Sequence, residues 1–168
     1  TGTLDHVHAS GLRQFSASKG HGKTQLGLGI DALIWSALGE SRPIHRLVTD
    51  QKPQVIAPLP AVQACANLQR LLELFSTMGE RALPFMPRAG FAYFSKAPGD
   101  AAWNAASAHW STRDGRGEGE DAWVRLALRG RDPFFDDDEE ATEQFQNLAT
   151  EIFRLLPGAA QSQEPADD

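Results

Sequence analysis

A single cysteine among 168 residues has nothing to pair with, so an intramolecular disulfide is excluded and a reducing compartment is implied. That cysteine, Cys65, falls in the apolar pattern of a predicted helix and is expected as a buried structural thiol. No apolar run approaches the roughly 20 residues of a membrane span, and no signal sequence opens the chain. The expectation is a cytoplasmic protein with no membrane contact. Positive charge is also short: 16 Lys and Arg stand against 22 Asp and Glu, a net charge of -6. A free-standing nucleic-acid binder is usually basic throughout. The metal signatures CxxC and HExxH are missing, which leaves His6, His8 and His21 as a bare histidine set for zinc, and no metal is expected. Thr1 stands inside what reads as a strand, so a piece cut from something longer is expected.

What is present is enough apolar content, 41%, for one domain with a sizeable core. The charge is divided unevenly. Residues 1–113 carry 11 Lys and Arg against 7 Asp and Glu, whereas residues 114–168 carry 5 against 15. The first part can face phosphate; the acidic end repels it and suits solvent or a basic partner.

The chain is organised around residues 2–39. Two apolar-alternating runs, Gly2 to His8 and Leu12 to Ser16, are joined by Ala9-Ser10-Gly11 and read as a hairpin. A loop rich in glycine and basic residues follows. The spacing then predicts a helix from near Thr24 that buries Leu26, Leu28, Ile30, Leu33, Ile34 and Leu38.

Three readings compete for this stretch. Ala17-Ser-Lys-Gly-His-Gly-Lys-Thr24 fits a loose phosphate loop, with alanine for the first glycine. Its N–H groups would cradle phosphates, Lys23 would reach the terminal ones, Thr24 would hold magnesium and Asp50 would be the partner acid. Leu12-Arg-Gln-Phe-Ser16 is too polar for the buried central parallel strand of that fold. The second reading is a PD-(D/E)xK nuclease, in which two carboxylates hold magnesium and a lysine helps position water. Asp5 and Lys19 match such a set, and Gln25 matches the glutamine that opens the next helix in RecB-type nucleases. Ser16 or Ala17 stands where the second carboxylate belongs, so these residues are remnants and no catalytic set remains. An active site could borrow an acid from elsewhere in the fold, such as Asp50. The third reading is a strand pair and helix in an unrelated domain.

Further on, Ile44 to Thr49 and Gln54 to Ala57 predict a second hairpin, with Asp50-Gln-Lys-Pro53 as its turn rather than a catalytic acid-x-lysine. Pro60 opens a helix striped by Val62, Cys65, Ala66, Leu68, Leu71, Leu72, Leu74 and Phe75, and Gly79 closes it. Phe85, Met86, Phe91, Tyr93 and Phe94 could stack bases, but their density argues for core. A helix from Asp100 carries Trp103, Ala106 and Trp110. The glycine-rich loop from Ser111 to Asp121 is expected to lack regular structure and to move. A short helix follows, with Trp123, Leu126 and Leu128. Acids at 136–140 read as the start of a last helix bearing Phe145, Leu148, Ile152, Phe153, Leu155 and Leu156, not as a calcium site.

The order of these segments resembles the C-terminal domain of the gamma chain (RecC) of exodeoxyribonuclease V over about residues 2–156. Its more specific parts are Pro58-Leu-Pro-Ala-Val-Gln63 leading a leucine-rich helix, Leu83 to Phe94, and Gly117-Glu-Gly-Glu-Asp-Ala-Trp-Val-Arg-Leu126. The resemblance implies an α/β (mixed α+β) fold: a restriction-endonuclease-like, RecB-nuclease-like core with a small mixed sheet flanked by helices, incomplete at its N-terminus. It also implies a degenerate nuclease-like domain over 1–157; the acidic tail over 158–168 is polar after Pro157-Gly158 and is expected to be disordered. The partners implied are DNA and the beta and alpha subunits of an ATP-dependent helicase–nuclease of double-strand breaks. Magnesium and ATP would serve those subunits, and this domain would need no cofactor. Clustering in the net-positive part nominates Arg13, Lys19, His21 and Lys23 as DNA contacts.

Overall fold

The computed structural model describes residues 3–129, 131–134 and 138–159. It opens with β1 (Val7–His8) and β2 (Gly11–Ser16), which pair antiparallel with Val7 opposite Leu12. The first strand is therefore much shorter than the predicted Gly2 to His8. His6, just before it, sits at a φ of 59°, a conformation that strands do not use. Gly11 belongs to β2 rather than to the turn. Its φ is 126°, and a Cβ there would lie 2.0 Å from the Pro43 carbonyl oxygen, so no larger residue fits.

Helix α1 (Gly22–Ala37) leads to β3 (Ile44–Val48), which runs parallel to β2 with Leu12 opposite Ile44 and Phe15 opposite Leu47. Strand β4 (Gln54–Ile56) returns antiparallel and completes a mixed sheet of order β1-β2-β3-β4. The predicted second hairpin is present, with residues 50–53 as its turn. The polar β2 is a parallel strand after all, because only one of its faces is covered. Leu12 and Gln14 point inward and are buried; Arg13 and Phe15 point outward and are exposed.

The inward face packs on α1 through Leu12, Ile44, Ile56, Ala32 and Trp35. Trp35 donates its indole N–H to the Arg42 carbonyl and carries the Arg42 guanidinium over its ring. Leu33 is buried as expected, and Leu26 and Ile30 are half-buried. Ile34 and Leu38 are exposed, against expectation. A helix among other elements buries a broader, differently centred arc than one apolar stripe suggests, and here small residues, Gly29, Ala32 and Ser36, fill part of it.

On its other side α1 meets α2 (Ala61–Glu80) and α3 (Pro87–Phe94). Helix α4 (Asp100–Trp110), α5 (Ala122–Leu128) and α6 (Glu139–Leu155) complete the helical layer. Phe153 lies at the centre, in contact with the rings of Phe85, Phe91 and Phe94, so the aromatic segment is core and not a stacking platform. A second cluster gathers Ala89, Ala106, Trp110, Leu128 and Phe145. Arg70 of α2 reaches Glu151 of α6 at 2.6 Å across the surface.

The expected burial of Cys65 is wrong: it is exposed, as are Val62, Leu72 and Phe75. Helix α2 turns only Ala64 and Leu74 fully inward. Its apolar arc is too wide for one core, and half of it faces out.

The glycine-rich loop is not irregular. Residues Glu118–Glu120 form a 3-10 turn, and two carboxylates tie the loop down. Glu120 accepts the N–H groups of Gly117 at 2.7 Å and Thr112 at 3.1 Å, and the Ser111 hydroxyl at 3.2 Å. Glu118 accepts the N–H groups of Arg88 and Ala89, capping α3 from outside its own helix. Gly119 lies flat on Trp110, where a Cβ would come within 2.2 Å of the ring. Asp138 caps α6 through the Ala141 N–H, as the acid run suggested; Asp136 and Asp137 lie outside the described residues. Ala159 is buried in the core beside Leu156, and residues 160–168 of the expected tail lie outside the described residues.

Candidate functional site

The parallel connection β2–α1–β3 places the loop of residues 17–21 at one end of the sheet, beside the turn after β3. The loop is tied to that turn. Gly20 donates its N–H to Asp50 Oδ1 at 2.7 Å, and Gln25 Nε2 donates to Gln51 Oε1 at 3.2 Å. Within the loop, Thr24 Oγ1 donates to the Lys19 carbonyl at 3.0 Å, and His21 N–H donates to the same carbonyl at 2.8 Å. Gly22 sits against α3, with a hypothetical Cβ only 1.6 Å from the Pro87 carbonyl oxygen.

The candidate residues do not form one constellation. Lys19 and His21 line a groove of about 520 Å³ together with Asp50, Arg88, Lys96 and His109. Lys23 is exposed on the first turn of α1 and is not part of that lining. Arg13 lies on the outer sheet face in a separate groove with Phe15, His45, Leu47 and Val55. Ser16 and Ala17 border a third, with Phe15 and Thr49. Asp5 is exposed, and its charge is felt by Asp31 of α1. Among the described residues, no hydrogen bond or ion pair joins Asp5, Ser16 or Lys19 to Gln25. His6 packs edge-on against Phe15 and is not in the lining of the groove that holds His21. Among the described residues, no three His, Cys, Asp or Glu side chains gather as a metal-holding group.

Gln25 instead serves a buried polar hub. Arg46, on an inward position of β3, is 2% exposed. Its Nε donates to Gln14 Oε1 at 3.0 Å, while Nη1 and Nη2 reach Gln25 Oε1 and the Pro157 carbonyl, each at 3.4 Å. Gln14 Nε2 donates in turn to the Leu28 carbonyl at 2.6 Å. Burial pushes the guanidinium down to about 10, and the carboxylate of Asp31 opposes that shift. Burial likewise raises Asp31, helped by Asp5 and resisted by Arg46. The hub thus holds a cation by neutral acceptors, with one carboxylate near enough to be felt.

Sequence reasoning missed Arg46, Gln14, Arg88, Lys96 and His109. For Arg46 a signal existed: Ile44, Arg46 and Val48 occupy alternate positions of one predicted strand, so the arginine had to point where the isoleucine and valine point. Arg88, Lys96 and His109 stand 65 or more residues from the loop they face, and nothing local marks them.

Residues 1–98, more than half of the chain, match the family described as the RecC C-terminal domain. No curated protein shows a significant match to the chain.

Proposed function

The chain belongs to the RecC C-terminal domain family, and on that premise we propose that it is a non-catalytic DNA-channel and subunit-assembly domain. Its setting is the gamma subunit of exodeoxyribonuclease V, a cytoplasmic helicase–nuclease of double-strand break repair and homologous recombination. The fold is in this reading a nuclease-like one that has lost its catalytic set. Magnesium and ATP serve the beta and alpha subunits, and this domain binds no cofactor.

The observation that carries the reading is the Arg46 hub. The space between β2, β3 and α1, into which Gln25 points, holds a fixed guanidinium. A buried guanidinium held there by neutral acceptors repels the divalent ion that a metal-dependent nuclease needs. Asp5 is turned out to solvent, and Ser16 and Ala17 supply no acid. Two uncovered apolar faces support assembly: the outer sheet face with Phe15, Leu47 and Val55, and the outer side of α2 with Val62, Leu72 and Phe75. Arg13, Lys19, His21 and Lys23 approach DNA phosphates from the loop and the sheet beside it.

Two measurements test this. Charge reversal of Arg13, Lys19 and Lys23 in the assembled complex is expected to lower DNA affinity by about tenfold or more at low salt; unchanged affinity would refute the DNA role. The purified chain is expected to cleave neither single- nor double-stranded DNA with magnesium or manganese. Cleavage that disappears in Asp5→Ala would refute the non-catalytic role.

A second reading is favoured by one observation: β2, the loop, α1 and the parallel β3 form a βαβ unit with Gly22-Lys23-Thr24 in the first helical turn and Asp50 just past β3. That is the setting of a nucleotide phosphate loop. Here the Gly20 N–H is taken by Asp50 and Thr24 Oγ1 by Lys19. Thermal protection of the chain by ATP would favour this reading over the first.

A further inference from the structure

We infer that the groove between the loop of residues 17–22 and helices α3 and α4 is a docking site for one backbone phosphate of a passing DNA strand. Its principal cations are Arg88 and Lys96, with Lys19 facing them. The inference rests on the DNA-channel reading and assigns it a place.

Three observations converge on this groove. Lys19, Arg88 and Lys96 come from three separate segments and line one concavity of about 520 Å³. Among the described residues none of them pairs with a carboxylate within the 4.0 Å of an ion pair, although four ion pairs occur elsewhere on this surface. Three like charges set against the single carboxylate of Asp50 still repel one another, and an anion between them relieves that repulsion.

Helix α1 also presents its N-terminus here, through His21 and Gly22. No side chain caps it, its first turn holds no acid, and Lys23 stands in that turn. A lysine at this end is the reverse of what the helix dipole favours, so the 16-residue helix itself supplies no compensation at its positive end, and the acid beside it is Asp50 on the Gly20 N–H. By contrast, the N-terminus of α3 in the same groove wall is answered by Glu118.

Finally, His21 Nδ1 is buried and has no hydrogen-bond partner. A phosphate oxygen would supply one once the ring turns toward the groove that His21 lines.

Asp50 opposes an anion. It is the one carboxylate in the lining, set against three permanent cations, and one of its oxygens is held by the Gly20 N–H. The groove is open, and its aromatic wall, Phe91, is 8% exposed. The one phenyl ring in the lining thus offers a base almost no face, and the three cations favour a backbone phosphate of any sequence.

The test measures binding of a single-stranded oligonucleotide to the assembled complex across a salt series. Arg88→Gln with Lys96→Gln is expected to weaken binding several-fold at low salt. It should also flatten the slope of log affinity against log salt by about 0.7, the share of one single-strand phosphate. The charge-keeping pair Arg88→Lys with Lys96→Arg should hold the wild-type slope, which separates lost charge from lost folding. Unchanged affinity and slope in the Gln pair overturn this site. The DNA-channel reading still stands if Arg13→Gln with Lys23→Gln, outside the groove, weakens binding, and it falls as well if neither pair does. Asp50→Asn should tighten binding without magnesium. If it instead weakens binding only when magnesium is present, Asp50 is a metal ligand, and the assignment gives way to a magnesium–nucleotide site.

Discussion

A guanidinium that is 2% exposed must find acceptors within the fold, and Arg46 finds Gln14, Gln25 and the carbonyl of Pro157. Those three partners lie on β2, on α1 and beyond the end of α6, so one side chain joins the sheet to the last segment of the core. Arg46→Met would take the donor from three acceptors, the side-chain oxygens of Gln14 and Gln25 and the Pro157 carbonyl. A loss of about 2 kcal/mol is expected from denaturant unfolding, and most of it should return when Gln14→Leu and Gln25→Leu are added. A triple variant no more stable than the single one would show that Arg46 contributes by its own packing. The inward place of Arg46 could be read from strand alternation alone. Its partners could not, because Gln25 is 21 residues away and Pro157 is 111.

At the scale of elements, the glycine-rich loop is the instructive case. Glycine between charged residues predicts mobility because the backbone has many accessible conformations. Glu120 removes that freedom by accepting two backbone N–H groups and two hydroxyls, and these bonds hold its carboxyl below the ordinary 4.5. A carboxyl held low in the folded state adds stability above its unfolded value, and that stability is lost as pH falls through the folded value. Glu120→Gln should therefore lower the melting temperature at pH 7, and the gap to wild type should close in acid below pH 4.5. A gap that persists there would mean that shape, not charge, orders the loop. Helix α2 teaches the converse. Its eight apolar positions promised a broad core face, yet Val62, Leu72 and Phe75 are more than half exposed. Leu72→Ser with Phe75→Ser is expected to change the stability of the chain by no more than about 0.5 kcal/mol and to weaken its capture by the alpha and beta subunits. Pull-down at matched protein concentrations reads this, and undiminished capture would remove α2 from the interface.

Over the whole molecule, the excess of Lys and Arg in residues 1–113 accompanies the sheet, the loop and α3, while the acids of residues 114–168 cap helices and tie the loop over Trp110. In the proposed DNA-channel role, phosphate contacts drawn from the first part alone would carry no base information. Changing the DNA sequence should leave affinity unaltered, whereas raising salt from about 50 to about 200 mM should lower it by about fiftyfold for four contacts; fluorescence anisotropy with two unrelated sequences measures both. The sequence by itself determined the mixed α/β class, the two hairpins and the positions of the longer helices, because each of these is a local matter of periodicity, turn chemistry or residue type. Tertiary structure alone decided that Lys19 meets Arg88 and Lys96, that Arg13 faces away from them, that Cys65 and half of α2 stay outside, and that a buried arginine fills the cleft beside Gln25. Those outcomes depend on which faces of distant elements are pressed together, and a periodic pattern states that a face is apolar without stating what will cover it.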